Sequence, residues 1–391
     1  MIQTRDWNSK HRFLLIGSMI LILLKSGLSQ ESAPSQSNQG NQPEELTSQY
    51  FLFEELLLHQ PEWFATAEAR QIADNLLIYQ RASGGWPKNI DYRRILSESE
   101  KHKLLKNPSE PLATVDNGAT YTQLRFLAKV IRATNDQLYI LSFFKGFDYL
   151  LDAQYTNGGW PQFYPLQKGY FSHITFNDDA MIGVLRLLRD IAAGKSDFEF
   201  VDQERQNRAK KAVRKGIECI LKTQIVVNGQ LTAWCAQYDE KTLKPANARS
   251  YELVSLSGEE TVGIVRFLME IKNPSPEIVN AVQAAVGWLD RVKIEGIRVV
   301  RKPDPKSPTG FDKVVVADSS APPIWARFYQ IEDNRPFFSD RDGKVYYDLA
   351  AISSERRNEY AWLGYWPQEL LTELYPQWQQ RWSPRNNVLE R

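Results

Sequence analysis

The sequence has few of the residues that build disulfide-stapled domains and common metal-dependent active sites. It contains two cysteines, Cys219 and Cys235, and four histidines scattered over 391 residues. No HExxH, GxSxG, P-loop or CxxC pattern occurs, so zinc hydrolysis, serine hydrolysis and phosphoryl transfer lack their parts. A chain of this length can bury a core that needs no disulfide, and we therefore expect both cysteines to be free thiols.

Net charge is also missing, since 48 Lys and Arg balance 47 Asp and Glu. This balance leaves no global field to attract nucleic acid or anionic lipid. The apolar run from Phe13 to Leu24 follows basic residues and is shorter than the roughly 20 residues that span a bilayer. We interpret 1–29 as a signal peptide, 30–47 as a disordered linker poor in apolar residues, and 48–391 as one domain. The sequence thus predicts a secreted or periplasmic monomer that binds neither nucleic acid nor, after cleavage, membrane.

A long repeat dominates what the sequence does contain. Trp86, Trp160 and Trp234 recur every 74 residues (160 − 86 and 234 − 160). A helical pattern ending in glutamine precedes each tryptophan, and an amphipathic helical pattern follows each loop. Two of the three loops read GGWP, whose glycine and proline end the preceding helix. Each repeat is therefore predicted to be a helix, an aromatic loop and a second helix.

Stacked hairpins of this length favour a mainly α fold, an α/α toroid with its loops collected at one end, over an open α-solenoid. Two late stretches, 297–303 and 313–317, have the β-branched composition of strands and predict a small β-hairpin. Because function tends to lie on loops held by a rigid scaffold, we expect the site at the loop end.

Polar groups mark three predicted helix starts, 115–121, 176–181 and 255–261. Ser257 and Glu260 have the spacing of a capping box. The pairs Asp116 with Asn117 and Asp178 with Asp179 each bring two polar groups where one cap would suffice. If equivalent positions converge, their charges need compensation, and Ca2+ accepts such oxygen ligands. Capping and metal binding both remain open from the pattern alone.

Three arginines lie in loop-like segments flanked by proline or glycine: Arg249, Arg335 and Arg341. A guanidinium there can bind a carboxylate through two parallel hydrogen bonds, although a surface salt bridge is the simpler reading of each one.

Seven motifs in collinear order over about residues 48–376 resemble the pectate lyases of polysaccharide lyase family 10. They are SGGWPKNID, TVDNGATYTQLRFL, NGGWPQFYPL, ITFNDDAM, TAWCAQYDEKTLKPANARSYE, IWARFYQIEDNRPFFSDRDG and YWP. The resemblance implies an α/α toroid that cleaves polygalacturonate by Ca2+-assisted anti β-elimination, giving 4,5-unsaturated oligogalacturonides. It further implies an arginine as the base.

Carried onto this sequence, the resemblance assigns roles to nine residues. The metal ligands would be Asp116 and Asp178, and the base would be Arg335, with Arg341 as the alternative. Substrate contacts would come from Arg249, Asn117, Asp179, Trp160 and Tyr251.

Two other readings compete with the lyase. The glutamine and GGW pattern is also similar to terpenoid cyclases, whose acidic motifs bind Mg2+ with diphosphate. No DxDD or DDxxD run is present, and an exported protein would not meet cytosolic diphosphates. A non-catalytic pectin-binding protein would keep the aromatic and acidic residues but would not need the pair Arg335 and Arg249.

Overall fold

The computed structural model describes residues 53–107 and 112–390. They belong to one compact unit, Gln42–Arg391. The predicted signal peptide and linker, and the first residues of the predicted domain, lie outside the described residues. None of the helices in the described part of the chain has the length and apolar character needed to cross a membrane.

Helices make up about half of the described chain. In chain order they are α1 (Ala67–Tyr79), α2 (Glu98–Lys106), α3 (Tyr121–Thr134), α4 (Gln137–Asp152), α5 (Ala180–Ala192), α6 (Gln203–Thr223), α7 (Glu260–Met269), α8 (Pro276–Arg291), α9 (Ser354–Glu359), α10 (Pro367–Glu369) and α11 (Tyr375–Trp382). Helices α3, α5 and α7 are largely buried and contact one another in sequence, while α4, α6 and α8 pack outside them. The α/α toroid predicted from the repeat is confirmed.

Helices α1, α4 and α6 start at side-chain caps, whereas α8 starts without a side-chain cap hydrogen bond. Thr66 Oγ1 accepts from the amide of Ala69, and Asp136 Oδ1 accepts from Leu138 N at 2.8 Å. Asp202 caps α6 in the same way. The inner helices α3, α5 and α7 start without a side-chain cap hydrogen bond. The polar side chains that precede the inner helices are therefore left for other partners.

The repeated tryptophans are core residues. Each is fully buried, and each indole Nε1 donates to a carbonyl of the preceding outer helix, at Leu76 O, Leu150 O and Ile220 O. This bond fixes the loop against the helix from which it leaves. The placement corrects the role assigned to Trp160, because a ring with no exposed area offers a sugar no face to stack on.

The glutamine that follows each of the helices α1, α4 and α6 joins one repeat to the next. Gln80 Nε2 donates to Gly84 O and Ser142 O, and Gln154 Nε2 donates to Gly158 O and Ala212 O. Gln224 repeats this pattern in the third hairpin. Each amide therefore satisfies one carbonyl of its own loop and one of the following outer helix.

The GGWP glycines allow each loop to lie close to the following outer helix. Gly84 and Gly158 have φ of +101° and +97°, values that side chains rarely adopt. A Cβ on Gly158 would lie 2.0 Å from the carbonyl oxygen of Lys215 on the next outer helix. Only glycine fits between the loop and that helix.

Short strands surround the helical core: β1 (Ile174–Thr175), β2 (Val226–Val227), β3 (Gln230–Leu231), β4 (Gln237–Tyr238), β5 (Leu256–Ser257), β6 (Ile297–Pro303), β7 (Phe311–Ala317), β8 (Trp325–Ala326), β9 (Phe328–Tyr329), β10 (Pro336–Ser339), β11 (Val345–Tyr346) and β12 (Leu363–Gly364). Strands β6 and β7 pair antiparallel and confirm the predicted hairpin. One sheet has the order β11-β10-β9-β5 and rests on a second, aromatic-rich cluster. Cys219 and Cys235 are free and buried, as expected.

Candidate active site

The sequence-predicted aspartates lie in two short turns at the starts of inner helices. Asp116–Gly118 leads into α3, and Asn177–Asp179 leads into α5. The two turns contact each other, and the second also contacts α7. Asp116 and Asp178 are thus on the same rim of the toroid, where neighbouring repeats meet.

Both turns hold non-glycine residues in the left-handed backbone region. Asn117, Asp178 and Asp179 have φ of 48°, 52° and 57°. This region disfavours an L-residue by about 1–2 kcal/mol, although Asn and Asp tolerate it best. Strain of this kind persists where the surroundings fix it, and it concentrates at functional sites. The strain favours a functional reading over simple capping.

Asp116 is almost completely buried and only half satisfied. Its Oδ2 accepts from Lys88 Nζ, while its Oδ1 is buried without a hydrogen-bond partner among the described residues. A buried carboxylate oxygen without a donor is unfavourable unless a cation or another ligand reaches it. Asn117 lies beside it, with its amide 3.5 Å from Asn89 Oδ1.

Asp178 reaches the surface, with 41% of its side chain exposed. Its Oδ1 lies 3.3 Å from Arg327 Nη2, and its Oδ2 accepts from Asn177 Nδ2 at 3.2 Å. Partial burial raises the pKa of Asp178, but the charge of Arg327 and the Asn177 hydrogen bond outweigh it and lower the pKa overall. The side chain is therefore an anion that faces the rim.

Arg327 is the residue that the sequence analysis missed. It is buried, and besides Asp178 it pairs with Glu259 Oε2 at 2.9 Å and Glu260 Oε1 at 2.5 Å. The available signal was its setting, because apolar residues flank this arginine on both sides in IWARFY, and an arginine that is buried is usually paired with acids.

The predicted capping box at Ser257 and Glu260 is only half present. Ser257 Oγ accepts from the amide of Glu260 at 3.2 Å. The Glu260 carboxylate, however, accepts from the Ser257 hydroxyl and from Arg327 instead of bonding the Ser257 backbone amide. Ser257 lies in β5, where its amide donates to Trp234 O, so that donor is already used. Arg327 therefore competes successfully for the carboxylate.

Asp179 points between two inner helices. One carboxylate oxygen lies 3.7 Å from Arg186, and the other occupies the space beside Gly263 on α7. Burial raises the pKa of Asp179, and the nearby charges of Glu260 and Asp178 add to that rise against the effect of Arg186.

Arg249 is the loop arginine that shares this neighbourhood. Its Nε and Nη2 bind Glu252 at 2.9 and 2.6 Å, and its charge contributes to lowering the pKa of Asp178. Burial raises the pKa of Tyr170, the charge of Arg249 opposes that rise, and the charge of Asp116 adds to it. Burial lowers the pKa of Arg249, but Glu252 outweighs burial and raises it.

The two arginines considered as bases have different surroundings. Arg341 pairs with Glu355 at 2.6 Å and lies 5.8 Å from the ring of Tyr251, which Arg249 also contacts at 5.1 Å. Arg335 is exposed and stacks 3.3 Å from the ring of Tyr347, and within the described part of the chain it makes no hydrogen bond or ion pair to the aspartate turns. The structure therefore brings Arg341, and not Arg335, towards Arg249.

Tyr251 has a different place from the one the resemblance implied. Its ring is buried with 4% exposure, and arginine side chains pack against it. A ring covered in this way supports the arginine cluster and is not open to a sugar.

The oxygen donors at the rim fit a hard divalent cation. Asp116 supplies a carboxylate oxygen that has no hydrogen-bond partner in the described part of the chain, and Asp178 supplies an exposed carboxylate. Among the described residues, the three-residue group compact enough to hold a metal is a different one: His173, Asp239 and Glu240. Its histidine makes it atypical for Ca2+, which prefers oxygen ligands throughout.

Comparisons with known proteins found one family model and solved structures similar to this chain. A family model described as pectic acid lyase matches residues 80–371. Two solved structures of a family 10 polysaccharide lyase from Cellvibrio cellulosa are similar to this chain. Each shares 36% sequence identity with a TM-score of 0.70 and is aligned over 82% of this chain. The alignment covers 96% of one relative, a mutant in complex with trigalacturonic acid, and 94% of the other.

No curated protein matches the sequence. The family model nevertheless spans most of the chain, and the solved relatives align over nearly their whole length. The chain belongs to the pectic acid lyase family and is a polysaccharide lyase of family 10.

Proposed function

We propose that this lyase is an exported enzyme that cleaves polygalacturonate by Ca2+-assisted anti β-elimination. The observation that carries the proposal is the contact between the Asp116 and Asp178 turns, with an unpartnered oxygen on Asp116 and the charge of Arg249 acting on Asp178. The relative solved in complex with trigalacturonic acid supports an acidic galacturonate chain as the substrate. The products would be 4,5-unsaturated oligogalacturonides.

Asp116 and Asp178 would hold the cation, with Asn117 and Asp179 beside them for the sugar. A Ca2+ bound there would neutralise the uronate carboxylate and make the C5 proton more acidic. Anionic oxygens on two adjacent turns match the loose, oxygen-only coordination that Ca2+ accepts. Lys88 neutralises one oxygen of Asp116, so that the rim keeps less negative charge than the aspartates alone would give.

Among the arginines, Arg249 fits the role of base better than Arg335 does. Two of its nitrogens bind Glu252, and the third, Nη1, makes no hydrogen bond to any described residue. Because the pKa of Arg249 is raised, its neutral form is scarce at neutral pH. The rate should therefore climb steeply with pH through the alkaline range.

The test uses purified protein with polygalacturonate, following the ultraviolet absorbance of the unsaturated product with Ca2+ and with a chelator. We expect activity that needs Ca2+ and increases with pH. Asp178→Ala should lose activity and recover part of it in excess Ca2+. Wild-type activity that is unchanged by the chelator would refute the proposed role of Ca2+.

The arginines are separated in the same assay. Arg249→Ala should lose activity without rescue by Ca2+, while Arg335→Ala should keep most of it. An inactive Arg335→Ala beside an active Arg249→Ala would restore the sequence-based choice. Arg341→Ala serves as the matched third variant, because it also contacts Tyr251 but pairs with a different acid.

A further inference from the structure

Arg327 connects three carboxylates that come from two different inner-helix starts. Asp178 precedes α5, whereas Glu259 and Glu260 are at the start of α7. One guanidinium contacts all three, with Nη2 shared between Asp178 and Glu260 and Nη1 on Glu259. It therefore spans the boundary between the second and third repeats, next to the rim.

The backbone and the ring beneath it fix Arg327 in place. Its amide donates to Trp362 O at 2.8 Å, and its carbonyl accepts from Gly258 N at 2.8 Å. The guanidinium lies 4.8 Å from the centre of the Tyr360 ring, on the buried aromatic cluster. A guanidinium held from three sides offers a fixed direction to any carboxylate that it binds.

Asp178 depends on that fixed direction. Its left-handed backbone and exposed side chain leave it two side-chain anchors, Arg327 on Oδ1 and Asn177 on Oδ2. The other two acids are more enclosed, and the Glu260 side chain is only 1% exposed. Most of the guanidinium is therefore anchored in the protein, and Asp178 takes its orientation from that anchored group.

We infer that Arg327 is a positioning residue that orients the Asp178 carboxylate for Ca2+, an inference that rests on the proposed function. Arg327 does not itself touch the cation or the sugar. Outer residues of this kind tune a metal site by fixing its ligands, and their loss weakens metal affinity.

The charge of Arg327 alone predicts the opposite effect. A cation beside a metal ligand repels Ca2+, so removing only its charge would tighten binding. Arg327→Lys separates the two effects, since lysine keeps the charge but lacks the planar fork that reaches three carboxylates. Positioning predicts weaker Ca2+ binding in this variant.

The experiment measures Ca2+ binding by titration calorimetry on the whole protein without substrate, together with the Ca2+ concentration that gives half-maximal lyase activity. We expect Arg327→Lys to bind Ca2+ about tenfold more weakly, the lower end of the range for such residues. Excess Ca2+ should restore much of its rate. Binding as in wild type, or tighter, in a folded Arg327→Lys protein would overturn the inference.

Arg357→Lys is the matched control. Arg357 is partly buried, with 13% of its side chain exposed, and it binds Asp312 through two nitrogens at 2.7 and 3.0 Å. Within the described part of the chain it makes no hydrogen bond or ion pair to the aspartate turns. It should lose stability comparably and keep its Ca2+ affinity. An equal loss of affinity in this control would show a general effect of lost stability and would count against a special role for Arg327.

A second pair of variants tests the inference if Arg327→Lys does not fold. Tyr360→Leu removes the ring under the guanidinium, whereas Tyr360→Phe removes only the hydroxyl that donates to Glu252. We expect weaker Ca2+ binding in the leucine variant alone. Ca2+ binding that is equally tight in the two variants would contradict the positioning role of Arg327. If Asp178→Ala binds Ca2+ as tightly as wild type, that result refutes the proposed metal site itself.

Discussion

Individual residues at the rim are fixed by neighbours that belong to other repeats. Asp179 illustrates this, because its carboxylate fills the space left by the missing side chain of Gly263. A Cβ at that position would lie 1.8 Å from Asp179 Oδ1, which is far inside van der Waals contact. The glycine in helix α7 is therefore a partner of the acidic turn before α5.

Gly263→Ala should reduce lyase activity about tenfold, since a displaced contact at a site built for fixed geometry commonly has such an effect. Stability should change little, because alanine is about 1 kcal/mol better than glycine within a helix and offsets the crowding. Steady-state rates and thermal unfolding measure the two effects.

Gly287→Ala on α8 is the control for that substitution. A Cβ there would meet its nearest atom, Arg291 Nη1, at 3.6 Å, an ordinary contact. This variant should keep full activity. If Gly263→Ala is also fully active, the position of Asp179 has no role in the reaction.

At the scale of elements, the sequence predicted what depends on local pattern. The spacing of Trp86, Trp160 and Trp234 revealed the repeat because each indole makes the same bond to its own outer helix. The starts of the inner helices were also predictable, since polar residues precede an apolar period there.

The late loops were not predictable, because strand pairing sets their geometry. Arg327 and Arg335 are eight residues apart (335 − 327), yet one is buried and the other exposed. The chain reverses between Gln330 and Arg335, where Gln330 N donates to Arg335 O at 2.9 Å. That reversal pairs β9 with β10 and leaves Arg335 at the end of the turn, where its side chain is exposed. A single sequence contains no signal for this strand register, so the sequence alone does not distinguish Arg335 from the other arginines as the base.

The glutamine bridges between repeats give the prediction at this scale. Gln154→Glu keeps the shape of the side chain but replaces the amide that donates to Gly158 O and Ala212 O. Leaving two partly buried carbonyls without a donor should lower the free energy of unfolding by about 2–4 kcal/mol. Chemical denaturation measures the change.

Gln203→Glu provides the comparison for that variant. Gln203 is exposed in the first turn of α6, where an added negative charge is mildly favourable. Its stability should stay within about 0.5 kcal/mol of wild type. A Gln154→Glu protein as stable as this control would show that the bridge between repeats contributes nothing.

At the scale of the whole molecule, ion pairs tie the ring of inner helices together. Arg125 on α3 binds Asp190 on α5 at 2.8 Å, and Arg189 on α5 binds Glu270, just after α7, at 2.6 Å. These contacts join all three inner helices in order. The stability of the toroid should therefore depend on the ionisation of the acids in the ring.

Asp190 sets the expected pH range of that dependence. Burial raises the pKa of Asp190, but Arg125 and Lys195 outweigh burial and lower it. A carboxyl group with a lowered folded-state pKa adds stability that is fully present above its unfolded pKa, about 3.9, and is lost as pH falls towards the folded value. The contribution should therefore be constant near neutrality and disappear only in acid.

Asp190→Asn should consequently unfold at a lower temperature than wild type at pH 7, with a loss of about 1–3 kcal/mol for the broken buried pair. The two melting curves should begin to converge below about pH 4 and meet once the pH falls through the lowered pKa of folded Asp190, because the wild-type side chain is then neutral too. Glu98→Gln removes an exposed pair with Lys101 and should leave the melting temperature nearly unchanged at every pH. A gap between Asp190→Asn and wild type that stays constant into acid would mean that packing, not charge, accounts for the contribution of Asp190 to the ring.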